Sequence, residues 1–147
     1  MQSRSRTLAA VNGGSELVDT LSRLSLFADL SQAELESVAH GSEEEVFGAG
    51  QRILREGLTG SGLYIVLEGE VAVRQGAREL ARLGRGEFFG EISVLLDTTP
   101  MADVVATTLV RCLVVPAPDV ESFLLERPHV LYRMLRAEAR RLRAAET

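Results

Sequence analysis

Residues 83–106 read LGRGEFFGEISVLLDTTPMADVVA. Gly84, Gly86 and Gly90 fall within seven positions, followed by Glu91, a mostly apolar run over 92–96, a Thr98-Thr99-Pro100 turn and Val104-Val105. Glycines just ahead of a short helical run let the backbone approach a ligand closely and aim free N–H groups at it, which suits an anion such as phosphate. A carboxylate at Glu91 would sit beside that anion and accept hydrogen bonds from a neutral hydroxyl. A glutamate kept for that purpose should stand exposed while the pocket is empty. The same residues also fit a glycine-rich connection between two strands, with Glu91 capping a short helix, and composition does not separate the two readings.

The stretch FFGEISVLLDTTPMADVVA resembles the phosphate-binding cassette of the cyclic nucleotide-binding domain family, whose pattern is roughly F-G-E-[LIM]-[AS]-x-L, a short loop, then P-R-[STA]-A-x-V. Phe89, Gly90, Glu91, Ile92, Ser93 and Leu95 fall on the first half, and Ala102 and Val104 on the second. The resemblance implies that Glu91 takes a ribose 2′-hydroxyl, while the N–H groups after it and an arginine take the cyclic phosphate. The ungapped match puts Pro100 at the arginine's place and Met101 at the next. A one-residue shift puts Met101 there instead, and either way no arginine occurs between Arg85 and Arg111. The implied ligand set is Phe89, Gly90, Glu91, Ile92, Ser93, Thr99, Pro100, Met101 and Ala102, with the ribose half kept and the phosphate half lacking its cation. One charge-assisted contact in a partly buried site is worth roughly 1.5–3 kcal/mol, so cyclic AMP binding is expected to be weakened about ten- to a hundredfold, or lost.

Upstream, Leu17, Val18, Leu21 and Leu24 recur at helical spacing, and the segment from Ser15 is read as a short amphipathic helix. Ser31 can cap a second helix and Glu34 can complete a capping box ahead of Leu35 and Val38, with His40-Gly41 ending it. The stretch LFADLSQAELESVA also resembles the helical start of the same family. From Glu43 the pattern changes to short runs at 45–47, 52–55, 63–67, 71–74, 79–83, 104–107 and 110–115, separated by turn residues. Many short antiparallel strands mean a sandwich, jelly roll or barrel. Gly50, Gly57, Gly60, Leu63, Tyr64, Val66 and Gly69 match a further family run, with Ala49 where proline is usual, and turn positions account for every one of these glycines. The likeness covers about residues 24–136 and implies a mostly β chain, an antiparallel β-roll or jelly-roll barrel flanked by N-terminal and C-terminal helices. Its pocket would lie between residues 90–93, the 98–102 loop and strand residues near Tyr64 and Val73.

After Pro116 the helical period returns with Val120, Phe123 and Leu124, is interrupted at Arg127-Pro128, and continues through Val130, Leu131, Met134, Leu135 and Leu142. Leu131, Leu135, Glu138 and Leu142 make a heptad-like seam broken at the glutamate, which would either pack on the barrel or pair with a second subunit. Residues 128–147 carry five arginines against two glutamates, leaving residues 1–127 at −8 of a total −5. The basic segment would be a solvated face, or one of its arginines could fold back to replace the missing cation.

At 147 residues, 46% hydrophobic and 25% charged, the chain fits one domain. Residues 1–14 form a polar leader, 15–127 the domain and 128–147 a basic helix. No apolar run has bilayer or signal-peptide length, so a cytoplasmic protein without membrane contact is expected. The single cysteine, Cys112, lies in LVRCLVV and reads as a buried hydrophobe, and His40 and His129 lack metal-ligand spacing, so neither metal nor cofactor is expected. There is no lysine, no P-loop and no nucleophile–base pairing, which argues against an enzyme. The acidic body and the absence of a helix-turn-helix segment argue against DNA binding by this chain alone. Two readings remain: a regulatory small-molecule sensor, with cyclic AMP or a related molecule as ligand and a separate effector protein as partner, or a ligand-independent interaction module that dimerises through residues 130–142.

Overall fold

Eight strands build two four-stranded antiparallel sheets in the computed structural model, which describes residues 14–58 and 62–145. The leader expected over 1–14, apart from Gly14, and the turn glycine Gly60 lie outside the described residues. The strands are β1 (Glu43–Phe47), β2 (Arg52–Leu54), β3 (Gly62–Glu68), β4 (Val71–Gln75), β5 (Arg78–Leu83), β6 (Phe88–Phe89), β7 (Asp103–Ala106) and β8 (Val110–Pro116). The first sheet runs β1-β8-β3-β6 and the second β2-β7-β4-β5. Helices α1 (Gly14–Ser22) and α2 (Gln32–His40) precede the sheets, α3 (Glu91–Leu96) sits inside the strand order, and α4 (Val120–Leu125) and α5 (Pro128–Ala145) follow. This is the expected jelly-roll barrel with helices at both ends. Two-residue β6 has no counterpart among the expected runs, because two residues cannot display alternation.

The first sheet is covered on both faces, which is why β3 reads as one unbroken apolar run rather than alternating. Leu63, Ile65 and Leu67 pack outward with Leu113 and Val115 of β8 against Leu21, Phe27, Val38, Phe123, Val130 and Met134 of the helical segments. Tyr64 and Val66, with Cys112 and Val114, face inward onto Val71, Leu83, Val104 and Ala106 of the second sheet. Burial pushes the Cys112 thiol up to about 12, with the nearby Glu45 charge adding to it, so it behaves as the buried hydrophobe expected. The capping box forms as read: Glu34 N–H donates to Ser31 Oγ at 3.1 Å and Ser31 N–H to Glu34 Oε1 at 2.7 Å.

Helix α5 packs on the barrel through Val130 and Met134, both buried, with Ala137 beside them. The leucine seam does not: Leu131, Leu135 and Leu142 are 36%, 62% and 63% exposed. The two stripes are offset by one residue, about 100° around a helix of 3.6 residues per turn, so only one can face inward. The Arg133 guanidinium, donating to the Leu26 and Ala28 carbonyls at 3.2 and 2.7 Å, holds that phase. Among the described residues no helix is long and apolar enough to cross a membrane.

The β3–β4 connection needs glycine at one place. Gly69 has φ +96°, and a Cβ there would run into the Leu109 carbonyl oxygen. Gly69→Ala is expected to cost about 1–3 kcal/mol in denaturant melts. Gly48→Ala, where a Cβ meets open space, should stay within about 0.5 kcal/mol and serves as the control.

Candidate functional site

Strand β6 pairs with β3, Phe88 opposite Ile65 and Phe89 opposite Tyr64. Alternation sends Phe88 to the helical side and Phe89 into the barrel, where its ring stacks on Tyr64 at 4.9 Å and 7°. Gly90 then turns the chain with φ +89°, and a Cβ there would collide with the Gly62 carbonyl oxygen, so only glycine lets α3 start so close to β3. The helix closes after Leu96 on Asp97 in the left-handed region, whose N–H donates to the Ser93 and Val94 carbonyls.

Residues 89–93 and 99–102, the nine singled out from the sequence, all border one cavity of about 250 Å³, with Val73 on its wall as expected. Leu54 of β2, Ala81 and Leu83 of β5 and Val104 of β7 complete an apolar wall. Tyr64 is not on that wall but one layer behind it, under Phe89. Pro100 is buried, and its carbonyl accepts the Gly57 N–H at 2.9 Å. Met101 is 71% exposed and stands at the mouth, its carbonyl accepting from the Gln75 amide at 2.9 Å. The wall at Pro100 and Met101 has no cation of its own.

The expectation of an exposed Glu91 is overturned: it is 2% exposed. A residue from far along the chain covers it. Arg141 of α5 also borders the cavity, donates from Nη2 to the Phe88 carbonyl at 2.7 Å, stacks its guanidinium 4.3 Å over the Phe88 ring, and places Nη1 3.4 Å from Glu91 Oε2. Glu138, one turn earlier on α5, lies 3.7 Å from the same nitrogen. Burial, above all, together with the hydrogen bond to Glu138 and the Glu138 charge, pushes the Glu91 carboxyl up to about 8 against the smaller opposing pull of Arg141. Burial and the neighbouring Glu138 thus favour the neutral, protonated form of Glu91. Glu91 Oε1 and Glu138 Oε2 are both buried with no hydrogen-bond partner among the described residues. Glu138 and Arg141 are the site residues that the sequence did not single out. The pattern contained a faint signal, since Arg141 continues the inward stripe of Val130, Met134 and Ala137, and Glu138 lies between that stripe and the leucine seam.

The comparisons give the family. The family model described as "Cyclic nucleotide-binding domain" matches residues 44–127, and the chain belongs to that family. A cGMP-dependent protein kinase of Caenorhabditis briggsae is 31% identical over 119 residues, covering 77% of this chain and 15% of the kinase. The catabolite activator protein of Thermus thermophilus superposes with a TM-score of 0.72 at 31% identity, over 82% of this chain and 59% of that one. The regulatory subunit of a cAMP-independent protein kinase A from Trypanosoma brucei, as a triple mutant bound to cAMP in its A site, is similar at a TM-score of 0.63 and 25% identity, over 88% of this chain and 53% of that one. The chain spans 12–15% of the length of the curated kinases it matches.

The raised Glu91 value has a pH signature. The folded state keeps a proton that the unfolded chain, near 4.5, gives up, so this stabilisation is full below pH 4.5 and is lost as pH rises through about 8. Thermal and denaturant melts between pH 5 and 8 should show stability falling with a slope approaching ~1.4 kcal/mol per pH unit. Glu91→Gln should flatten that slope.

Proposed function

We propose that this chain is a non-catalytic regulatory domain of the cyclic nucleotide-sensing kind in which cyclic AMP affinity is weakened or lost. The observation that carries the reading is the single cavity bordered by residues 89–93 and 99–102, with Glu91 on its wall and Pro100 and Met101 where the family's arginine would stand. One charge-assisted contact is worth roughly 1.5–3 kcal/mol, which is a ten- to hundredfold loss of affinity. Arg141 does not replace it, since its guanidinium is already committed to Glu91 and the Phe88 carbonyl. A ligand hydroxyl that reaches Glu91 has to displace Arg141, so occupancy of the cavity is felt by the end of α5. The T. brucei relative supports the importance of the cation: it belongs to a cAMP-independent kinase, and the form bound to cAMP carries a threonine-to-arginine change among its three substitutions.

A second reading is favoured by the burial of Glu91 beside Arg141 and by the exposed Leu131, Leu135 and Leu142 of α5. On it, the domain is a ligand-independent module that forms a homodimer through residues 130–142. Sedimentation velocity at tens of micromolar separates the two readings: a dimer that Leu135→Glu dissociates supports the module, and a monomer removes it.

Titration calorimetry with cyclic AMP, cyclic GMP and a cyclic dinucleotide tests the first reading. Pro100 is buried on the cavity wall while Met101 turns to solvent, which supports the ungapped match. Pro100→Arg is therefore expected to raise cyclic AMP affinity about tenfold or more, and Met101→Arg to do less. Losing the proline loosens the loop and offsets part of the gain, which a thermal-shift control measures. If both variants stay folded and neither binds better than the parent, the cyclic nucleotide reading fails.

A further inference from the structure

On the other side of Arg141 from the cavity lies a second concavity, an open groove of about 510 Å³ between α5, the turn at Ser25–Phe27 and the approach to β6. Four arginines line it, Arg133, Arg136, Arg140 and Arg141, against one acid, Glu87. Two of the four are spoken for. Arg133 is tied to the Leu26 and Ala28 carbonyls and lies 3.6 Å from Asp29, and Arg141 is tied to Phe88 and Glu91. Arg136 and Arg140 are exposed and have no hydrogen bond or ion pair with any described residue.

We propose that this groove is a docking site for an acidic peptide segment of a partner protein, with Arg136 and Arg140 as the residues that take its carboxylates. Three features carry this. The arginines at 133, 136 and 140 recur at three- and four-residue steps, so they share one helix face that is about 10 Å long at 1.5 Å per residue. Arg136 and Arg140 are about 6 Å apart along the axis, close to the 6–7 Å between alternate residues of an extended chain, so carboxylates on every second residue of a strand match them. Arginine's fork of donors pairs bidentately with a carboxylate, and the anchored neighbours Arg133 and Arg141 keep the floor of the groove positive without being consumed.

Charge distribution selects a peptide over nucleic acid. Residues 1–127 carry −8 and repel a polyphosphate that runs beyond the groove, whereas a short acidic segment can stay within it, where four arginines face the one acid Glu87. Arg141 lines both the groove and the cavity, so the segment would dock against the same side chain that covers Glu91. The groove proposal does not depend on which ligand the cavity takes.

The test uses the full chain and a fluorescein-labelled peptide of alternating glutamate and glycine, read by anisotropy at 50 mM and 300 mM salt. Exposed ion pairs are individually weak and salt-screened, so binding on the order of 100 μM at low salt, lost at high salt, is expected. Arg136→Gln combined with Arg140→Gln should weaken binding roughly tenfold or more. Arg74→Gln combined with Arg78→Gln, equal in net charge but remote on β4 and β5, should change it less than about twofold. Arg136 and Arg140 are exposed and make no hydrogen bond or ion pair with a described residue, so the variant should melt with the parent. Amide chemical-shift changes in the parent on adding peptide, centred on 133–141, locate the site independently of any variant. No salt-sensitive binding, equal weakening by the two double variants, shift changes elsewhere, or tighter binding of a single-stranded oligonucleotide of equal charge would each overturn the proposal.

Discussion

Burial of β3 and β8 on both faces is the constraint from which the rest of this domain follows. Each strand sends one set of side chains into the barrel and the other into the helical layer, so neither layer is stable without the other. Leu63, Ile65 and Leu67 would be exposed if α1, α2, α4 and α5 were absent, and their burial is where most of the hydrophobic driving force joining helices to sheet is collected. The position of α5 over the barrel mouth is therefore a consequence of packing.

That packing sets the chemistry of the mouth. Gly90 turns the chain hard against β3, and Glu91 emerges under the last turns of α5, where water cannot reach it. A buried carboxylate with no partner is costly; burial and the Glu138 charge favour its neutral form, and the Arg141 guanidinium lies 3.4 Å from it. Arg141 is held in its turn by the Phe88 ring and carbonyl. Because β6 alternates, Phe88 supports Arg141 on one side of the strand while Phe89 builds the cavity wall on the other. Two adjacent aromatic residues thus join the helix to the pocket.

The opposite end of the cavity is plain by comparison. Pro100 is buried and Met101 faces out, and the loop is held by the Gly57 backbone N–H donating to the Pro100 carbonyl and the Gln75 side-chain amide donating to the Met101 carbonyl. The two ends differ in what they can recognise: one offers titratable and hydrogen-bonding groups, the other apolar surface.

Much of this was legible in the sequence for local reasons. Turn glycines, short apolar runs, the Ser31–Glu34 box and the Arg127-Pro128 break each act within a few residues, and among the described residues they locate seven of the eight strands and the five α-helices. The cassette residues were readable as a group because Gly90 and Glu91 stand in a pattern that only close backbone approach requires. The absence of an arginine there needs no coordinates. Pairings between distant segments were not legible. That the inward stripe of α5 is Val130, Met134, Ala137 and Arg141 rather than its leucines depends on helical phase against the barrel. The burial of Glu91 depends on Glu138 and Arg141 arriving from about fifty residues away. Residue types and local spacing determined that Glu91 could accept hydrogen bonds; the docking of a helix that sequence spacing cannot register decided its burial and its partners.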